Sequence, residues 1–121
     1  MSLYVDASAL LKRYVDEPAV RVTGRHTIVE VRRNLVRLLE PDAAATMRAV
    51  FVDDLRKLFV VELDATLCDD AAEIAEQTGV RTLDALHLAA ARRADEGITV
   101  LTFDRRQARA ARALGLAAVG D

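Results

Sequence analysis

The chain has one cysteine, no tryptophan, two prolines and no long apolar run. A lone Cys68 can close no internal disulfide and build no cysteine-based zinc site, and such scarcity fits a reducing cytoplasm. No stretch approaches the roughly 18 consecutive apolar residues of a spanning helix. The opening Met1-Ser2-Leu3-Tyr4-Val5-Asp6 reaches an acid at once, without the basic and apolar regions of a secretory signal. No membrane role is therefore expected. Aromatic residues are only 4 % of the chain, so stacking platforms for bases are scarce. There is no excess of one charge either: 17 basic and 19 acidic side chains leave a net charge of -2. That excludes holding nucleic acid by bulk charge and confines any such role to a local site.

What is present is a chain of 121 residues, 52 % hydrophobic and 30 % charged, expected to form one domain over residues 1–121. Ser2-Leu3-Tyr4-Val5 reads as a short buried strand, and Ala7 to about Tyr14 as a helix stopped by Glu17-Pro18. Val20-Arg21-Val22-Thr23 alternates like a strand. Thr27 and Glu30 form a candidate capping box for a helix with Ile28, Val31, Leu35, Leu38 and Leu39 as its apolar stripe. Further helices are expected after Asp42, after Asp64 as far as Gly79, after Thr82 and after Asp104. Strands are expected at residues 58–63, 98–102 and 116–119. Strands alternating with helices predict an α/β fold: a parallel sheet of about four to five strands sandwiched by helices.

Four acids sit in apolar company. Asp6 follows Leu3-Tyr4-Val5, Glu30 lies within Ile28-Val29-Glu30-Val31, Asp84 within Leu83-Asp84-Ala85-Leu86, and Asp104 follows Val100-Leu101-Thr102-Phe103. Asp6 and Asp104 fall just past predicted strands, at the edge where parallel sheets bind ligands. Each acid also stands at a helix N-terminus, so plain capping accounts for Asp6, Glu30 and Asp104 as well. Asp84 is different: its helical neighbours are His87, Leu88 and Ala91, and no Lys or Arg shares that face. A metal ion would neutralise it, and capping and coordination are compatible because a carboxylate has about four lone-pair sites. Oxygen-only ligands select Mg²⁺ or Mn²⁺, the ions of metal-assisted phosphodiester hydrolysis.

Tyr4-Val5-Asp6-Ala7-Ser8-Ala9-Leu10-Leu11-Lys12 resembles the opening of the PIN-domain ribonucleases. Val29-Glu30-Val31, Thr82-Leu83-Asp84-Ala85-Leu86-His87-Leu88-Ala89-Ala90-Ala91 and Leu101-Thr102-Phe103-Asp104-Arg105-Arg106 resemble their second, third and fourth motifs, in the family's order. The single-domain size is similar to that of VapC-type toxins of toxin–antitoxin pairs. The resemblance implies a PIN-like fold and a Mg²⁺- or Mn²⁺-dependent endoribonuclease. Asp6, Glu30, Asp84 and Asp104 would be both its catalytic residues and its metal ligands. It also implies an RNA substrate and a cognate antitoxin protein. Between Pro18 and His26 the chain is shorter than the family pattern, with room for a short strand but not a helix.

Ser8 and Thr102 read as residues hydrogen-bonded at a helix N-terminus and a strand end, or as groups that orient the acids. His87 reads as a packed or supporting residue, with metal ligation or proton transfer as the alternative; His26 reads as a surface or capping residue, and Cys68 as half-buried. Arg105, Arg106, Arg109 and Arg112 form either a solvated helix face or phosphate contacts. Neutralising four carboxylates leaves the remaining chain at about +2, so a weakly acidic protein can still present a cationic mouth. A homodimer is expected from apolar helix faces, and an antitoxin groove between the first helix and the Glu30 helix. The alternatives are a non-catalytic PIN-like binding module and another Mg²⁺-dependent α/β domain. A phospho-receiver would need a late lysine, and Lys57 is the last; an Asp-x-Asp phosphatase would need an acid where Ser8 stands.

Overall fold

A computed structural model of the chain describes residues 2–11 and 20–120. Strand β1 (Ser2–Val5) leads into α1 (Ala7–Leu11), and β2 (Val20–Gly24) into α2 (His26–Leu38) and α3 (Pro41–Leu55). Then follow β3 (Phe59–Val61), α4 (Ala65–Thr78), α5 (Thr82–Ala94), β4 (Thr99–Leu101), α6 (Arg105–Ala113) and β5 (Ala117–Val119). All five strands are parallel, in the order β3-β2-β1-β4-β5. The chain winds outward from β1 through β2 to β3, then returns to place β4 on the other side of β1. The order therefore reverses between β1 and β4, and a crevice at their carboxyl ends is the natural ligand site of such a sheet.

Alternation along the strands feeds two cores, one on each face. Leu3, Val5 and Leu101 join Leu10, Val31, Leu35 and Phe51 beneath α1, α2 and α3. Tyr4, Val22 and Val100 join Leu67, Ile74, Leu88 and Ala111 beneath α4, α5 and α6. A central strand buried on both faces takes apolar side chains at successive positions, which is why Leu3-Tyr4-Val5 of β1 and Val100-Leu101 of β4 are consecutive hydrophobic residues.

The expected α/β architecture is present, and β2 runs into α2 with no helix between them. Tyr14, Glu17 and Pro18 lie outside the described residues. Asp64 and Asp104 cap α4 and α6 with their side chains, and Gly79 ends α4 at φ 76°. Three expected caps do not form. Helix α2 starts at His26 with Arg25 in the cap position and no side-chain cap. The Thr27 hydroxyl is instead buried 2.8 Å from that of Thr23, so there is no capping box with Glu30. Thr82 and Asp42 lie inside their helices, behind Arg81 and Glu40. Cys68 is exposed rather than half-buried.

Candidate functional site

Asp6 leaves the carboxyl end of β1 and is only 5 % exposed. Its Oδ1 accepts from the Ser8 hydroxyl at 2.6 Å and from the Ala9 N–H at 3.0 Å, and its Oδ2 accepts from the Thr102 hydroxyl. The two hydroxyls also work in the other direction. Ser8 Oγ accepts the Phe103 N–H at 3.0 Å, and Thr102 Oγ1 accepts the Asp104 N–H at 3.1 Å. The turn after β4 is thereby pinned to the Asp6 carboxylate, and Ser8 and Thr102 both orient an acid and secure a chain end. Asp104 Oδ1 in turn accepts from the Arg106 and Gln107 N–H groups at the start of α6. Capping by Asp6 and Asp104 is real, and it leaves each carboxylate with unused lone pairs.

Glu30, Asp84 and Asp104 open onto one cleft of about 650 Å³, walled by Val80, Arg81, Thr82 and Leu83. Asp6 is joined to it through Thr102. A neighbouring hollow of about 520 Å³ shares Val80, Arg81 and Asp84 and adds Arg106 and Arg109. Two members of the basic run on α6 therefore border the acids. Burial pushes the Asp84 carboxyl above the usual carboxylate range; the negative charge of Asp104 adds to the rise, while His87 and Arg81 oppose it. No hydrogen bond reaches Asp84 among the described residues.

Glu30 is held by His87, not by a cap: His87 Nε2 lies 2.7 Å from Glu30 Oε1. The other ring nitrogen, Nδ1, lies 2.7 Å from the Tyr4 hydroxyl, whose oxygen also accepts the Gly24 N–H at 3.0 Å. Burial raises the Tyr4 phenol, so it keeps its proton. The network is satisfied when Tyr4 donates to Nδ1 and Nε2–H donates to Glu30, an assignment that follows from the partners.

His26 corrects the expectation of a surface or capping residue. It is 7 % exposed, and its ring centroid lies 4.1 Å from that of His87. Neither of its ring nitrogens makes a well-formed hydrogen bond among the described residues, and the Leu83 backbone is the one hydrogen-bonding group that bears on the ring. Burial first, and the neighbouring His87 second, lower its pKa to about 4; Glu30 and the Leu83 backbone pull the other way. The spacing of His26 and Glu30, four residues apart on one helix, was the available sign that they share a face.

The expected groove between α1 and α2 is largely closed: Leu10, Val31 and Leu35 are core, with only about 30 Å³ of space beside them among the described residues. An open apolar groove of about 760 Å³ lies instead between α2 and α3, lined by Ile28, Val29, Val36, Leu39 and Ala44 and edged by Arg32, Arg33 and Arg48. No helix among the described residues is long and apolar enough to cross a membrane.

The PIN domain model matches residues 3–113. The structure is similar to PAE2754 from Pyrobaculum aerophilum, with 25 % identity and a TM-score of 0.74 over 98 % of this chain and 92 % of that one. It is similar to FitAcB from Neisseria gonorrhoeae, with 17 % identity and a TM-score of 0.73 over 98 % and 96 %. It is also similar to VapC20 of Mycobacterium tuberculosis, a sarcin–ricin loop cleaving toxin, with 21 % identity and a TM-score of 0.71 over 89 % and 94 %. No curated protein sequence matches it significantly. With nearly its whole length matched, from the first strand through α6, the chain belongs to the PIN domain family.

Proposed function

We propose that this protein is a divalent-metal-dependent endoribonuclease and the toxin of a toxin–antitoxin pair. The observation that carries the reading is the opening of Glu30, Asp84 and Asp104 onto one cleft at the carboxyl edge of the sheet, with Asp6 tied to it through Thr102. The donor set fits Mg²⁺ or Mn²⁺. Asp84 is half-buried without a hydrogen bond among the described residues, and its raised carboxyl pKa marks a charge that needs a cation. Asp6, Glu30 and Asp104 each keep free lone pairs, and all four acids offer hard oxygen ligands. An ion bound there supplies Lewis-acid polarisation of the phosphodiester and a water activated for attack.

The rest of the chemistry belongs to the chain. Ser8 and Thr102 fix the Asp6 carboxylate, as outer partners of metal ligands do. Arg81 borders the cleft, Arg106 and Arg109 border the adjoining hollow, and together they provide contacts for RNA phosphates, which position a strand without reading its sequence. Hydrolysis adds water to phosphorus and expels a ribose oxygen, and the same arginines face the charge that builds up on the phosphate oxygens.

The proposed partner is an antitoxin segment lying in the α2–α3 groove, its apolar side on Val29, Val36 and Leu39 and its acids on Arg32, Arg33 and Arg48. Two-fold pairing of exposed apolar helix faces into a homodimer is proposed as well. The exposed thiol of Cys68 suits a reducing cytoplasm. The test is incubation of the purified chain with a structured RNA. Cleavage in Mg²⁺ or Mn²⁺ that stops in EDTA and resumes on adding excess metal supports the reading. An RNA left intact under every metal condition overturns it.

A further inference from the structure

The His26–Glu30–His87 cluster is chemically distinct from the oxygen-only cleft. One ligand atom from each residue lies within 4.8 Å of the others. Two imidazoles and one carboxylate form a set that suits borderline transition-metal ions, above all Zn²⁺, and not Mg²⁺. The separation exceeds the roughly 3.4 Å between ligands of a tetrahedral ion with bonds of about 2.1 Å, so up to about 1.4 Å of closure is required. His87 Nε2 and Glu30 Oε1, at 2.7 Å, are already close enough.

His26 supplies the independent sign of a ligand. A buried imidazole normally finds a partner for each nitrogen, because leaving one without costs about 1–3 kcal/mol. Here neither nitrogen makes a well-formed hydrogen bond among the described residues, the Leu83 backbone being the one hydrogen-bonding group that still acts on the ring, although the ring is more than nine-tenths buried and packed against His87. Room for the ring is made by Gly24: a Cβ at that position would stand 2.5 Å from His26 Cε1 and 2.7 Å from its Nδ1. The outer partner is also present. With an ion on His87 Nε2, the ring proton shifts to Nδ1 and is donated to the Tyr4 oxygen, which lies 2.7 Å away. Such a bond fixes the tautomer and orientation of a metal-binding histidine.

We infer that His26, Glu30 and His87 form a second cation site, selective for a Zn²⁺-class ion and completed by water, with Tyr4 as the positioning residue behind His87. The inference goes beyond the proposed ribonuclease activity and does not depend on it; the two sites have only Glu30 in common.

The test uses Co²⁺ as a spectroscopic probe and Zn²⁺ as competitor, on the full chain in excess Mg²⁺. The expected result is one equivalent of Co²⁺ with visible bands of nitrogen ligation, displaced by Zn²⁺. His26→Phe, which keeps a ring against Gly24, should weaken Zn²⁺ binding by at least about 10-fold, since even outer partners are worth that much. Asp84→Asn, which removes a charge near His87 and Glu30 but no ligand of this site, should weaken it far less than His26→Phe does. Zn²⁺ binding that survives His26→Phe, or that is lost in Asp84→Asn, overturns the site. A second readout needs no variant: histidine side-chain ¹⁵N shifts during Zn²⁺ titration should move for both His26 and His87, and static His26 shifts overturn it equally. Neither readout involves RNA, so failure of this site and failure of the ribonuclease reading are separate results.

Discussion

The Tyr4 hydroxyl and His87 Nδ1 lie 2.7 Å apart across 83 residues of sequence, and this one contact joins the central strand to the helix that carries Asp84. Tyr4 also accepts the Gly24 N–H, so its oxygen holds β1, β2 and α5 together. Tyr4→Phe keeps the ring in the core but leaves two buried polar groups without a partner. Equilibrium urea unfolding should show a loss of about 3 kcal/mol. A loss under about 0.5 kcal/mol would mean that the network does not contribute.

Asp6 and Asp84 should respond oppositely to neutralisation in metal-free protein. Asp6 accepts three hydrogen bonds, two of them from hydroxyls that also secure the turn after β4. Asp6→Asn replaces an acceptor by a donor facing a donor, so it should cost about 1–3 kcal/mol. Asp84 is half-buried beside Asp104 with no hydrogen bond among the described residues, so Asp84→Asn should raise the melting temperature in EDTA. A lowered melting temperature for Asp84→Asn would contradict the crowding of the acids.

Much of this arrangement was legible in the chain. The apolar runs ending at Asp6 and Asp104 announce strands that stop at the sheet edge, and Asp64 and Gly79 mark both ends of α4 through their own local chemistry. The absence of Lys and Arg from the turn after Asp84 was visible in the chain, but Arg81, three residues before it, and Arg106 and Arg109 of α6 stand near it in the structure, so its isolation from basic neighbours is not borne out. Glu30 was harder. On an ideal wheel it falls with Arg33, Asn34 and Arg37, and its actual partner, His87, is 57 residues distant. The burial of His26 and the diversion of Thr27 from capping to Thr23 depend on β2 lying beside β1, which no local pattern encodes.

The acid stability of the metal-free protein should carry the signature of His26. Its folded pKa of about 4 lies below the ordinary value of 6.5, so the unfolded chain binds the proton more tightly. This contribution is whole above about pH 6.5 and is lost as pH falls towards 4. After allowing for solvent screening it amounts to about 2 kcal/mol. Unfolding free energies in EDTA should fall less steeply across that window for His26→Phe than for the unaltered chain. Equal slopes would contradict the burial of a neutral His26.

Val36 stands on the exposed rim of the α2–α3 groove. Val36→Asp should change stability by no more than about 0.5 kcal/mol. It should weaken binding of a co-expressed antitoxin about 10-fold or more, because a charge would have to be buried against an apolar segment. Undiminished affinity would place the antitoxin elsewhere. The oligomeric state of the free chain is read by light scattering at micromolar concentration, where a mass near twice 13.2 kDa is expected and a strict monomer would contradict the homodimer.

The most direct test of the central claim is the single-turnover rate of RNA cleavage at fixed Mn²⁺ for Asp84→Asn against the unaltered chain, with both shown to be folded by circular dichroism. If the acids of the cleft hold the catalytic ion, the variant should lose at least about 100-fold in rate, the scale of losing a group that stabilises charge in the transition state. An Asp84→Asn protein that is folded and cleaves RNA at the unaltered rate would contradict the account.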